Sequence, residues 1–142
     1  MVSEHTNQVN QSLFPDGVLI TGQYSTETAE LYVPSSNVSC SLPKLPDTRY
    51  GHTVENTGLL CGGYGSEEVA GTCLQWSPDT GNWEEMFTWD NEYPGRADHV
   101  SWTPRTDIGT FLMGGEYDGR STTWIKPDGT QEMGYRLKYD IQ

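Results

Sequence analysis

Basic residues are scarce in this 142-residue chain, where 8 Lys and Arg stand against 20 Asp and Glu for a formal charge of −12. Nucleic acid is held largely by Lys and Arg that neutralise its phosphates. With no basic cluster, the chain is not expected to bind it. Hydrophobic residues reach only 34%, and they come in packets such as Val18-Leu19-Ile20, Leu59-Leu60-Cys61 and Phe111-Leu112-Met113. None approaches the roughly 18 residues of a membrane-spanning helix, so no membrane segment is expected. Residues 1–12 form a polar N-terminal segment without the basic and apolar regions of a secretory signal. That absence fits a cytoplasmic chain, whereas the sequons Asn10-Gln11-Ser12 and Asn37-Val38-Ser39 fit a secreted parent protein, and the compartment stays open.

What the chain has is acid and backbone punctuation. Residues 1–95 carry 13 acids and 2 bases, while residues 96–142 carry 7 acids and 6 bases. A field of that sign attracts a basic protein segment, and its densest patch is Glu84-Glu85 with Asp90 and Glu92. Sixteen Gly and eight Pro argue for short strands and turns rather than a helical core.

Those turns recur in a fixed order. Leu19-Ile20-Thr21-Gly22 returns as Leu60-Cys61-Gly62-Gly63 and as Leu112-Met113-Gly114-Gly115. Each packet leads to an alternating segment stopped by proline: Leu31-Tyr32-Val33-Pro34, Gln75-Trp76-Ser77-Pro78 and Trp124-Ile125-Lys126-Pro127. A third anchor, Arg49-Tyr50-Gly51-His52, comes back as Arg96-Ala97-Asp98-His99. Apolar packets read as buried strands and alternating segments as half-buried ones. Three units result, about 17–48, 49–94 and 95–142, each with about four strands. A single small sheet cannot bury both faces, so the units must stack.

These residues resemble the kelch repeat. The second unit carries the likeness most fully, with Gly62-Gly63, then Trp76 and Trp83 with six residues between them, then Arg96 and His99 opening the next unit. The first has Thr21 in place of one glycine, and the third keeps Gly114-Gly115 without the second tryptophan. The resemblance implies an all-β fold of kelch-type β-propeller blades, about three four-stranded antiparallel sheets over residues 13–142. It also implies a structural role for Gly22, Gly62, Gly63, Gly114, Gly115, Trp76, Trp83, Arg49, His52, Arg96 and His99. WD-type repeats are disfavoured because Gly51-His52 and Trp89-Asp90 each occur once. Propellers close with four to eight blades, so three imply an incomplete ring: part of a longer chain, half of a six-bladed homodimer, or a three-blade array standing alone.

Chemistry-bearing constellations are sparse. Cys61 and Cys73 flank one hairpin loop and are candidates for a disulfide, leaving Cys40 over. His52 and His99 lack the further ligands of a metal site, and their recurrence suggests a repeated hydrogen bond to a backbone group. Ser101 lies two residues after His99 with no nucleophile elbow around it. No catalytic residue, cofactor or metal is assigned. The expected function is a non-enzymatic protein-interaction module, with a fragment of a glycan-processing propeller enzyme or a self-assembling half-propeller as alternatives. Candidate partner-binding residues are Phe87, Trp89, Asp90, Glu92, Tyr93, Tyr64, Glu67, Glu68, Tyr117 and Arg120, on loops of variable composition.

Overall fold

A computed structural model describes residues 10–14, 17–24, 26–65, 69–88, 95–117 and 122–134. The chain is all-β, and the strands form three antiparallel four-stranded sheets. Sheet 1 runs in order through β1 (Asn10–Phe14), β2 (Gly17–Gln23), β3 (Thr26–Val33) and β4 (Val38–Leu42). Sheet 2 repeats the pattern with β5 (Thr53–Val54), β6 (Leu59–Cys61), β7 (Thr72–Ser77) and β8 (Asn82–Thr88). A turn of 3-10 helix at Val69–Gly71 precedes β7. In the third unit β9 (Arg96–Ala97) pairs with β12 (Glu116–Tyr117) as a separate ribbon. Sheet 3 is then β10 (Val100–Arg105), β11 (Gly109–Met113), β13 (Thr122–Ile125) and β14 (Gln131–Met133). Among the described residues no helix is long and apolar enough to cross a membrane.

Proline ends the third strand of each sheet, at Pro34, Pro78 and, one residue further on, Pro127. Without an N–H it cannot extend the ladder, so the chain turns and returns as the fourth strand.

The sheets pack face to face because successive side chains of the middle sheet point to opposite sides. Leu60 and Leu74 join Leu19, Leu45 and Val54 in a buried cluster against sheet 1. Leu59, Cys61 and Cys73 point the other way and pack with Leu112 and Ile125 of sheet 3. Both faces of β7 are therefore buried over Thr72–Leu74, where alternation with polar residues suggested a half-buried strand. Burying each such leucine contributes about 1.5 to 3 kcal/mol. Cys61 and Cys73 are direct cross-strand neighbours joined by a disulfide within this core, and Cys40 is free and exposed. Closing that short loop contributes about 3 kcal/mol in the chain-entropy view.

The repeat register of the first unit differs by one residue from the hydropathy match. A Cβ on Gly22 would lie 2.5 Å from His52 Cε1 and 2.6 Å from the Arg49 carbonyl oxygen. A Cβ on Gly62 would strike the corresponding Arg96 oxygen and lie 2.9 Å from His99 Cε1. Gly22 thus matches Gly62, Thr21 matches Cys61, and Gln23 rather than Thr21 stands in the place of the missing glycine. Neighbour contacts decide the register here, because apolar packets alone align equally well one residue apart.

Trp76 and Trp83 are cross-strand partners with ring centroids 5.4 Å apart. Trp83 packs on the cluster shared with sheet 1, and its indole N–H donates to the Pro43 carbonyl at 3.0 Å. Trp83→Ala is expected to cost roughly 3 kcal/mol by opening a cavity at this seam. Urea unfolding measures it, and an unchanged midpoint would contradict the packing role.

Candidate functional site

Each Arg-x-x-His loop is a polar key between units. The Arg49 guanidinium, fully buried, donates to the Gly62 carbonyl at 3.1 Å and to Thr72 Oγ1 at 3.0 Å, with Asp47 at 3.2 Å. Arg96, also buried, repeats this with the Gly114 carbonyl at 3.0 Å and Thr123 Oγ1 at 3.2 Å. Burial lowers the Arg49 pKa and the Asp47 carboxylate opposes that shift. Both arginines are spent inside the protein, which removes them as surface contacts.

The histidines reach back to the unit before them. His52 Nε2 shares a 2.9 Å hydrogen bond with Thr21 Oγ1, and His99 Nε2 shares one of the same length with Thr53 Oγ1. The recurring partner is a threonine hydroxyl, not the backbone group expected from position. Among the described residues neither Nδ1 atom has a partner. Ser101 donates its hydroxyl to Glu55 across the same seam, so it is engaged in holding sheets together rather than aimed at His99. Among the described residues no three His, Cys, Asp or Glu side chains are placed to hold a metal.

Above these keys, where the second strands of the sheets end, lies a row of aromatic rings. Tyr24 and Tyr64 follow the glycine anchors of units 1 and 2, and Tyr50 follows Arg49. Two backbone hydrogen bonds, of 3.1 and 2.7 Å, clamp Tyr50 to Tyr64. Ring centroids lie 4.9 Å apart for Tyr24 and Tyr50 and 5.1 Å for Tyr50 and Tyr64. Tyr24 is 66% exposed. The row ends at two exposed carboxylates of unit 3, Glu116 and Asp98, which accept from the Tyr64 hydroxyl. Chiefly through the Glu116 contact, and then through partial desolvation and Asp98, the Tyr64 pKa is raised. Gly51, at φ 64°, leaves the space that Asp98 Oδ1 and the Tyr64 ring occupy. The rim therefore presents π-faces and negative charge. At the opposite end of the strands, units 2 and 3 leave a small cleft of about 160 Å³ bordered by Thr57, Met86, Thr103 and Lys126.

Of the candidate partner-binding residues, Tyr64 is in this row. Phe87 and Tyr117 are placed by their backbones in β8 and β12, while Trp89, Asp90, Glu92, Tyr93, Glu67, Glu68 and Arg120 lie outside the described residues. Sequence reasoning placed Tyr24 and Glu116 only within candidate surface loops, residues 23–28 and 116–121, and did not offer Tyr50 and Asp98 as binding residues. The available signal was positional: Tyr24, Tyr64 and Glu116 each stand two residues after a matched glycine, at 22, 62 and 114. No protein-family model matches the chain, and no curated protein matches it.

The buried keys make stability depend on pH. Burial, then the charges of Arg49 and His99, lowers the His52 pKa to about 3, and burial with Arg96 lowers that of His99 to about 4. In the unfolded chain both rings titrate near their ordinary 6.5, so the unfolded state binds more protons below that pH. The histidine contribution is complete above about pH 6.5 and is lost as pH falls toward the folded values. Each ring adds a slope of up to about 1.4 kcal/mol per pH unit. Urea unfolding between pH 7 and 5 is expected to show this loss, and His52→Asn should reduce the slope by about one ring's share. An unaltered slope in that variant would contradict the assignment.

Proposed function

We propose that the chain is a non-enzymatic protein-interaction module built of kelch-like blades, and that it binds a basic segment of its partner along the tyrosine rim. The observation that carries this reading is the run Tyr24, Tyr50, Tyr64, in tilted ring contact at centroid spacings near 5 Å and closed by the Glu116 and Asp98 carboxylates. A Lys or Arg side chain lies favourably over a tyrosine face, at about 0.5 to 1 kcal/mol for exposed sites. Its charged head then finds a carboxylate at the end of the row. The chain's overall negative field supports the same partner by steering basic segments toward it.

The internal chemistry agrees with a binding role. Hydroxyl, imidazole and guanidinium groups near the rim are consumed by internal contacts, between units for Thr21 with His52 and within a unit for Arg96 with Gly114. What remains at the surface is recognition chemistry, rings and acceptors.

A short peptide of alternating Arg and Gly provides the test, read by fluorescence anisotropy, with an alternating Glu and Gly peptide as control. Tyr24→Ala changes no charge and removes a mostly exposed ring. It is expected to weaken Arg peptide binding about two- to fivefold, with the melting temperature unchanged. Equal affinity for wild type and variant would mean that only net charge attracts the peptide, and the rim reading would fall.

A further inference from the structure

The outward face of sheet 3 is chemically unlike the inner face that it matches. On sheet 2 the face toward sheet 3 carries polar keys, Thr53 bonded to His99 and Glu55 bonded to Ser101, around Leu59 and Cys61. In the same ladder positions of sheet 3 stand Val100 for Thr53, Trp102 for Glu55, Phe111 for Leu59, Met113 for Cys61 and Trp124 for Gln75. The hydroxyl, carboxylate and amide positions have all become apolar. Trp102, Phe111 and Trp124 form a continuous row, with centroids 6.1 and 5.9 Å apart. Val100 is 62%, Trp102 57% and Met113 39% exposed. Among the described residues no heavy atom lies within 4 Å of a Cβ built on Gly114, whereas the matched Gly22 and Gly62 are covered by the following Arg-x-x-His loop. An apolar face of this kind marks an interaction surface, and it offers nothing to a histidine key.

We propose that this face is a dimer interface, on which a second copy of the chain docks with its own sheet 3, face against face about a twofold axis. The charge distribution favours this occupant. Residues 96–142 are nearly neutral, with 7 acids and 6 bases, whereas residues 1–95 have 13 acids and 2 bases. Two copies that meet through unit 3 keep their strongly acidic parts apart. The far side of the stack is not an alternative seat, because Ile20 and Glu30, which point away from sheet 2, are both already buried. At Ile20 and Glu30 the far side therefore offers no open apolar seat to a head-to-tail copy, whereas self-pairing of sheet 3 joins two aligned apolar faces bordered by the Lys126–Glu132 ion pair beside Trp124. This interface is separate from the tyrosine rim and does not depend on it.

Light scattering coupled to gel filtration, over about 1 to 100 μM protein, tests the proposal. The expected species has twice the 15.9 kDa chain mass, and Trp102→Glu and Val100→Lys, each at an exposed position, are both expected to return the chain mass. Circular dichroism checks that the variants keep the strand signal. A wild-type chain that stays at 15.9 kDa throughout overturns the proposal and leaves the face to a different protein. A dimer or larger species that folded variants fail to dissociate overturns it as well, because association then uses another surface.

Discussion

The close approach of an Arg-x-x-His loop to a bare glycine Cα sets the spacing of the whole stack. At Gly22 and at Gly62 the next unit's arginine carbonyl and histidine ring fill the space a side chain would need. Other contacts follow from that approach. It brings His52 to Thr21 and His99 to Thr53, and it sets the carbonyl of Arg96 against the Gly63 N–H at 2.8 Å. Leu60 and Leu74 then reach the cluster of the first sheet, and Leu59 and Cys61 that of the third. Leucine packing supplies most of the free energy, but it is tolerant of small slides. Directional bonds from buried guanidinium and imidazole groups are not, and they pin one arrangement.

Polar groups and function divide along the same line. Inside the seams each arginine and each histidine makes at least one directional hydrogen bond, and burial there lowers the pKa values of His52 and His99. At the rim the matched positions after the glycines hold Tyr24, Tyr64 and Glu116, side chains that touch across the unit boundaries at the surface and not in the buried seams. We read the rim as a place where a rigid stack displays a gradient from aromatic to acidic groups. Rigid presentation matters for binding because ordering costs are already met on folding.

Much of the architecture was legible in the sequence because it is written in local chemistry. Glycine after an apolar packet, proline after an alternating one and the spacing between them foretell three units of four strands, and the hairpin position of Cys61 and Cys73 makes their disulfide a natural candidate. What was not legible depends on contacts between units. Thr21 and Cys61 differ in chemistry yet occupy one position, and only the seating of His52 and His99 reveals the match. The tyrosine row was hidden for the same reason, since Tyr24, Tyr50 and Tyr64 are 26 and 14 residues apart and meet only when two sheets are stacked. The kelch-like reading rests on the glycine, tryptophan and Arg-x-x-His anchors, and its functional content rests on the rim.

Gly62 and Gly114 allow the central contact to be separated from backbone strain. They have nearly the same left-handed conformation, φ 68° and 70°, but among the described residues only Gly62 is covered by a following loop. Unfolding free energies of Gly62→Ala and Gly114→Ala, measured side by side in urea, are the most direct test. Both variants bear the left-handed strain of alanine, about 1 to 2 kcal/mol. Gly62→Ala is predicted to lose about 2 kcal/mol or more beyond that, because displaced packing and unpaired buried groups at the seam add to the strain. Equal losses in the two variants would contradict the account, since the glycine would then serve the turn and not the seating of the next unit.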